Sequence, residues 1–333
     1  MKKLFFTLLF TISKLFCSTP YNLLSAPQKI SSKDVEKASL KADFSFNFNF
    51  GDGNSLEAFY ECGKTGFAFN ICKEVFDKLE IPIQKDLKFD GKTNTYFYSY
   101  NRQKRDKSKE TAKCKEQETK ICKPLEKLHP EKATEISIRE CVRILKTQKV
   151  IFYTGAGISA EYLPDMKGIY EALSFHKAPQ DKNKAPKTEF LIREAVKNPK
   201  NYIEPMHKIF TDFLNAKPTK AHIALKNIAL KFECAVLTEN MDFMHLKTGI
   251  DVPMIKPEKM LQEVTPATLK KIDAIVCIGM SADDRGFLAW YKKHNPKGKF
   301  VAVNLEKPEF LDKGDMALLG DVQVVLPKIE KLI

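Results

Sequence analysis

Apolar and polar residues alternate strictly over residues 44–50, FSFNFNF. That period of two predicts a half-buried strand, ended by Gly51-Asp52-Gly53. The apolar residues of 69–79 have helical spacing. Residues 87–100 read as a hairpin, with Asp90-Gly91 near its turn and TYFYSY as the returning strand. Together these predict a small α/β module over residues 19–99, entered through a polar, lysine-containing linker at 19–40. Its aromatic side chains are read as core rather than as a platform for stacked bases. From Tyr100 the chain becomes dense in Lys, Arg, Glu and Gln, so 100–135 is a charged linker or a solvated helix.

The pattern changes at Ile136. Ile136, Cys141, Ile144 and Leu145 share one helical face. Residues 150–153, VIFY, form a β-branched and aromatic run that suits a strand buried on both faces. Gly155-Ala156-Gly157 then lets the backbone turn tightly, with Ser159, Ala160 and Glu161 as the expected start of a helix. Helical patterns follow at 189–196 and 202–214. Pro218-Thr219 opens another, whose broad apolar face includes Ile223, Leu225, Ile228 and Leu230. Further strands are predicted at 232–237, 272–278, 300–305 and 322–326. Strands alternating with helices over 136–333 predict an α/β fold, a doubly wound, Rossmann-like parallel sheet. Its ligand crevice belongs at the carboxyl ends of the strands.

Composition changes this picture little. The chain has 333 residues, 43% of them hydrophobic, and a formal net charge of +13. That is enough apolar content for a core, and the excess charge reads as a lysine-rich solvated surface. No motif for specific nucleic-acid binding accompanies it. Residues 1–18 resemble a signal peptide: Lys2 and Lys3, then the apolar LFFTLLFTI, closed by Phe16-Cys17-Ser18. The run is too short to span a bilayer, so any membrane contact is expected through this segment alone. The protein is therefore expected to be secreted or exported. Lys14 and the bulky Phe16 depart from the pattern and leave a cytoplasmic location as the alternative. Of eight cysteines, Cys62 with Cys72 and Cys114 with Cys122 are candidate disulfide pairs in an exported chain. None has CxxC spacing, so no zinc site is expected. Cys141, Cys234 and Cys277 lie in apolar periodic stretches and read as core.

Four of the strands run into loops with polar residues. These loops carry Gly155-Ala156-Gly157-Ile158-Ser159, Thr238-Glu239-Asn240-Met241-Asp242, Gly279-Met280-Ser281 and Asn304-Leu305-Glu306. A strand, a glycine turn and a helix N-terminus present backbone N–H groups to a phosphate. Alone, any one of these loops is an ordinary turn or cap; their order is more specific.

In that order they resemble the sirtuin family of NAD-dependent protein deacylases. TGAGISAE followed by PDMKG is similar to the family's first cofactor motif, and KPTKAHIAL with VLTENMDFMH to its central helix and Asn-x-Asp loop. CIGMSADD is similar to its Gly-x-Ser segment and FVAVNLEKPE to its adenosine-side strand. The resemblance covers about 136–333. It implies a sirtuin-type fold with NAD as cofactor and an acyl-lysine protein as substrate. It also implies that Gly155, Ala156, Gly157, Ser159 and Asp165 hold the pyrophosphate end. Asn240 and Asp242 would act at the nicotinamide ribose, with Gly279, Ser281 and Asn304 fixing the rest of the cofactor.

The departures from the family are also specific. The family's catalytic His follows the Asn-x-Asp loop, whereas here 250–260 reads IDVPMIKPEKM, without histidine. Lys256 falls near that place, but a lysine is ordinarily protonated at neutral pH and a poor base. His245 is the other candidate catalytic group. The family's zinc-binding cysteine pairs are absent between 250 and 272, and Glu239 stands where the family has Gln. Three readings follow: an NAD-dependent lysine deacylase; an NAD glycohydrolase or ADP-ribosyltransferase using the same site; and a non-catalytic NAD or ADP-ribose binding module.

Overall fold

The computed structural model describes residues 21–40, 44–51, 54–61, 63–78, 87–101, 121–123, 125, 128–163, 200–240 and 242–333. Residues 1–18, Cys62, Cys114, Asp165 and the helical pattern at 189–196 lie outside them. The chain divides into two compact units. Among the described residues, the first takes 44–101 and 200–213, and the second takes 21–39, 121–163 and 214–333. The described part of 19–39 thus groups with the second unit, and 200–213 with the first. Neither assignment follows from position along the chain.

The first unit is a five-stranded antiparallel sheet. Its strands are β1 (Phe44–Gly51), β2 (Asn54–Glu61), β3 (Lys64–Cys72), β4 (Lys88–Asp90) and β5 (Thr95–Tyr100), in the order β1-β2-β3-β5-β4. The expected hairpin at 87–100 is formed by β4 and β5. The helix expected over 69–79 is instead the end of β3 followed by a short helix, Lys73–Lys78. Phe67, Phe69 and Ile71 are all buried, and that period of two overrides the looser helical spacing. Aromatic rings form this core: Phe69 stacks on Tyr98 at 4.9 Å and Phe76 on Tyr96 at 4.1 Å. The helix Lys200–Asn215 buries Met206, Ile209 and Phe210 in the same unit, with Phe210 against Tyr60 at 5.8 Å.

The second unit is built on a six-stranded parallel sheet: β6 (Thr134–Glu135), β7 (Val150–Thr154), β8 (Ala235–Thr238), β9 (Ala274–Ile278), β10 (Lys299–Asn304) and β11 (Met316–Leu319). Their spatial order is β6-β11-β10-β9-β7-β8. Alternate residues of β7 to β11 enter two separate cores. Val150, Phe152, Val236, Val276 and Val301 join one with the helices Ile138–Thr147, Lys220–Lys231 and Val322–Leu332. Ile151, Tyr153, Leu237, Cys277 and Phe300 join the other with the helix Phe287–His294. Helices on both faces of a parallel sheet are the doubly wound α/β arrangement. β8 lies on one side of β7, and β9, β10 and β11 succeed one another on the other, so the strand order reverses between β7 and β9.

Three local expectations change. Residues 322–326 are the start of a helix rather than a strand. Asp321 accepts a hydrogen bond from the Gln323 N–H at 2.8 Å, and Val322, Val325, Leu326 and Ile329 form one buried face. A short apolar run such as VQVVL fits either period, and the cap decides it. The last strand of the sheet is Met316–Leu319. After the glycine turn, Ala156–Ile158 is a 3-10 turn, and no α-helix begins at 159–161. Residues 19–40 are more than a polar linker, because Tyr21 and Leu23 are buried and Ser32–Leu40 is helical. No described helix is long and apolar enough to cross a membrane. Cys72 and Cys122 have no disulfide partner among the described residues, and their expected partners, Cys62 and Cys114, fall outside them.

Candidate functional site

The strand order reverses where β7 and β9 lie side by side, with Thr154 paired to Ile278. Chains leaving the carboxyl ends of two such strands diverge and open a crevice. Here the two loops touch. The Gly155 N–H donates to Ile278 O at 3.0 Å and the Gly157 N–H to Gly279 O at 2.8 Å. A Cβ on Gly157 would stand 2.8 Å from the Gly279 Cα. One on Gly279, at φ +62°, would meet the Ile158 nitrogen at 2.5 Å. Both glycines are therefore required by the approach of two backbones. Their role was legible in the sequence only as a turn.

The Asn-x-Asp loop leaves β8 on the far side of β7 and folds onto the glycine turn. The Asn240 amide donates from Nδ2 to Gly155 O at 2.9 Å and, more weakly, to Ser159 Oγ at 3.4 Å. Its backbone N–H donates to Thr238 Oγ1 at 2.9 Å. The Ser159 hydroxyl donates to Asp242 Oδ2, and Asp242 Oδ1 accepts the Met244 N–H at 2.9 Å. Ser159 and Asp242 are buried and Asn240 half-buried. Three residues from two loops thus form one hydrogen-bonded group. On the other side of the turn, Gly279 N–H donates to Val303 O at 3.1 Å and Asn304 Nδ2 to Met280 O at 3.0 Å. Asn304 is half-buried, while Ala156 and Ser281 are exposed at the loop tips. Of the expected site residues, Gly155, Ala156, Gly157, Ser159, Asn240, Asp242, Gly279 and Ser281 lie on the loops at this end of the sheet, and Asn304 is the last residue of β10.

Charge in the site is controlled by burial. Glu239 Oε1 accepts from the Tyr153 hydroxyl and from the Arg285 N–H at 3.3 Å. Desolvation pushes its carboxyl up to about 8, with Asp284 and Asp283 adding to the effect against the opposing Tyr153 hydrogen bond. A protonated carboxyl has one hydroxyl donor and one carbonyl acceptor. Below pH 8, therefore, Glu239 supplies nearly the neutral chemistry of the Gln expected there.

His245 is 4% exposed and its Nε2 lies 2.9 Å from Thr154 Oγ1. Thr154 donates onward to Thr238 Oγ1 at 2.8 Å, so Thr154 is the acceptor and His245 carries its proton on Nε2. The same reasoning holds for His222, whose Nδ1 is 2.8 Å from Thr219 Oγ1 while Thr219 donates to Ile158 O. The two rings meet edge to face at 4.7 Å, and their remaining nitrogens, His222 Nε2 and His245 Nδ1, have no hydrogen-bond partner among the described residues. Burial holds both imidazoles well below the ordinary histidine range. Both are therefore neutral at physiological pH. Nothing in the sequence spacing marks Thr154, Thr238, His245 and His222 as one buried group.

The Gly155 and Gly157 amides are engaged by protein carbonyls, and the Ser159 hydroxyl by Asp242. Among the described residues, Ala156 and Ser281 are exposed at the loop tips and Asn240 and Asn304 are half-buried beside them. Neutral amide and hydroxyl groups at a switch point fit a nucleotide, and the glycines keep the backbone clear of side chains. Among the described residues no cluster of three or more metal-ligating side chains occurs.

A family model described as the Sir2 family matches residues 155–265. That segment runs from the glycine turn through the Asn-x-Asp loop. Among curated proteins, none matches the chain. Among solved structures, one described as the structural basis for the mechanism and regulation of Sir2 enzymes is 20% identical. It aligns with 58% of this chain and 95% of its own, at a TM-score of 0.40. The structure of Sir2Tm bound to a propionylated peptide is 17% identical, over 59% and 98% of the two chains, at a TM-score of 0.43. Likeness at this level carries no weight of its own; the fold is given by the sheet.

Proposed function

From the Sir2-family segment at residues 155–265, we propose that the loops at the carboxyl end of the sheet, around β7, β8 and β9, bind NAD and use it to deacylate lysine side chains. The observation that carries the reading is the joined group of Ser159, Asn240 and Asp242 on the glycine turn. An amide and a carboxylate held in fixed positions orient a bond to be broken, which is a gain in positioning rather than in acid–base power. NAD, when bound, supplies the N-glycosidic bond from which nicotinamide leaves. Asn240 orients the ribose end, Asp242 holds Ser159 in place, and Ser281 and Asn304 hold the adenosine side.

A second reading, hydrolysis or transfer of ADP-ribose without deacylation, is favoured by one feature. Residues 250–260 contain no histidine, and His245 is buried with its Nε2 proton committed to Thr154. Leaving of nicotinamide depends on orientation and electrostatics more than on such a base, so it survives this loss more readily than acyl transfer.

Incubation with NAD and an acetyl-lysine peptide, followed by mass spectrometry, tests both. Nicotinamide with O-acetyl-ADP-ribose is the expected result. Nicotinamide with ADP-ribose alone supports the second reading. Binding of NAD without release of nicotinamide overturns both. Asn240→Ala is expected to lower nicotinamide release at least a hundredfold, measured against wild type in the same assay.

A further inference from the structure

The stretch 249–256, which leads from the Asn-x-Asp loop to Lys256, is held from two sides. On one side it runs parallel to β8: Thr238 bridges Met254, the Thr238 N–H donates to Pro253 O at 3.3 Å, and the Ile255 N–H to Thr238 O at 2.9 Å. On the other side lies the segment 21–30, running antiparallel to it. Lys29 bridges Ile250, the Ile30 N–H donates to Gly249 O at 2.8 Å, and the Asp251 N–H to Gln28 O at 2.8 Å. Residues 28–30 thus pair, through one bridge and two backbone hydrogen bonds, with a loop more than two hundred residues away.

Tyr21 anchors that segment at several points. Its hydroxyl donates to Met254 O at 2.6 Å and accepts the Lys256 N–H at 2.8 Å, while its own backbone N–H donates to Glu263 Oε2 at 2.8 Å. Lys256 is the N-cap of the helix Pro257–Glu263, so one residue ties both ends of that helix. The ring is buried in the core with Ile255 and Met260, and the Lys259 ammonium sits 5.5 Å from its centroid. Lys256 lies two residues beyond the bridged Met254, as Asn240 lies two beyond Thr238. Thr238 links the two stretches: its carbonyl accepts the Ile255 N–H at 2.9 Å and its Oγ1 accepts the Asn240 N–H at 2.9 Å.

We propose that Tyr21 is a positioning residue for the nicotinamide-ribose end of the site. The strap 21–30 holds the loop 249–256 on the side away from β8. A buried hydroxyl bonded to one N–H and one C=O of the same loop fixes its backbone as a ladder partner does. This inference rests on the NAD reading above and deepens it, because the strap acts on the site only through 254–256. It also makes residues 21–30 part of the second unit's fold.

Tyr21→Phe tests it, since the ring stays in the core and only the hydroxyl is lost. Two measurements separate this inference from the functional reading. Hydrogen exchange of the Lys256 amide is expected to quicken at least tenfold in Tyr21→Phe, with the melting temperature within a few degrees of wild type. In the NAD assay, nicotinamide release at saturating NAD is expected to fall about tenfold, with NAD affinity within threefold. Wild-type turnover with unchanged exchange or unchanged release in Tyr21→Phe overturns the positioning role and leaves the NAD reading standing. A wild type that binds no NAD overturns the functional reading before Tyr21 is tested, and the positioning role falls with it. A wild type that binds NAD without turnover leaves the strap to be judged on exchange: NAD is then expected to slow exchange at 254–256 in wild type and not in Tyr21→Phe. The same response in both proteins overturns the proposal.

Discussion

Gly157 and Gly279 explain each other. Each lacks a side chain because the other's backbone occupies the space, at 2.8 Å from a Cβ on Gly157 to the Gly279 Cα. Gly157→Ala is expected to cost about 1–3 kcal/mol, the usual range for overpacking a filled interior. Urea denaturation measures it, and calorimetric titration should show weaker NAD binding in the same variant. Glu239 makes a different residue-scale prediction. Its carboxyl stands near 8 in the folded chain against an ordinary 4.5, so between those values the folded state holds a proton that the unfolded state has released. Stability contributed there is present below about pH 4.5 and is lost as pH rises through 8. Glu239→Gln keeps a neutral group in place and should raise the melting temperature more at pH 8 than at pH 5. Equal shifts at both pH values would refute this.

The elements that carry the site are joined by caps. Thr219 begins the helix Lys220–Lys231 by accepting the His222 N–H at 3.3 Å, and its hydroxyl also reaches Ile158 O at 3.2 Å on the glycine turn. Gln323, in the first turn of the last helix, donates to the same carbonyl at 2.9 Å and accepts the Ala221 N–H at 3.0 Å. Two helices are thus fastened to one turn. Thr219→Ala should cost about 1–2 kcal/mol, at the upper end for a lost cap, because Ile158 O loses a partner as well. Thr219→Ser should recover most of that in the same thermal or chemical unfolding experiment. Deeper in the sheet, Asp315 is 1% exposed and accepts from Lys292 Nζ at 2.8 Å and from the Phe300 N–H at 2.9 Å. Removal of one partner from a buried ion pair typically costs about 3–5 kcal/mol. Lys292→Met is therefore expected to destabilise strongly, and the double variant with Asp315→Asn less than the sum, as a double-mutant cycle would show.

At the scale of the whole molecule, pH dependence reflects groups from several elements. His222 and His245 are held neutral by burial, well below the ordinary 6.5. Because the unfolded chain binds protons there first, the stability they contribute is present above about pH 6.5 and is lost as pH falls. Glu239 acts in the opposite sense. Thermal melting is thus expected to show a maximum near neutral pH, with the acid side governed by the histidine pair and the alkaline side by Glu239. A melting temperature that rises without a maximum from pH 4.5 to 8 would refute this balance.

Most of the second unit was legible in the sequence because its signals are local. The strand at 150–153, the glycine turn and the capped helix after Thr219 depend on residues adjacent in the chain. The candidate loops could therefore be named in order before any contact was known. Periodicity failed where a short apolar run fits two periods: 69–79 and 322–326 were settled by cross-strand pairing and by the Asp321 cap. What only the tertiary structure decided comes from distant partners. The strap from Tyr21 to Ile30 against 249–256, the contact of Gly157 with Gly279, and the buried Thr154, His245 and His222 each need residues dozens to hundreds of positions apart. Sequence fixes which groups exist and how the backbone bends near them. Folding alone decides which of them lose water together, and that shared burial sets both their charge and their partners.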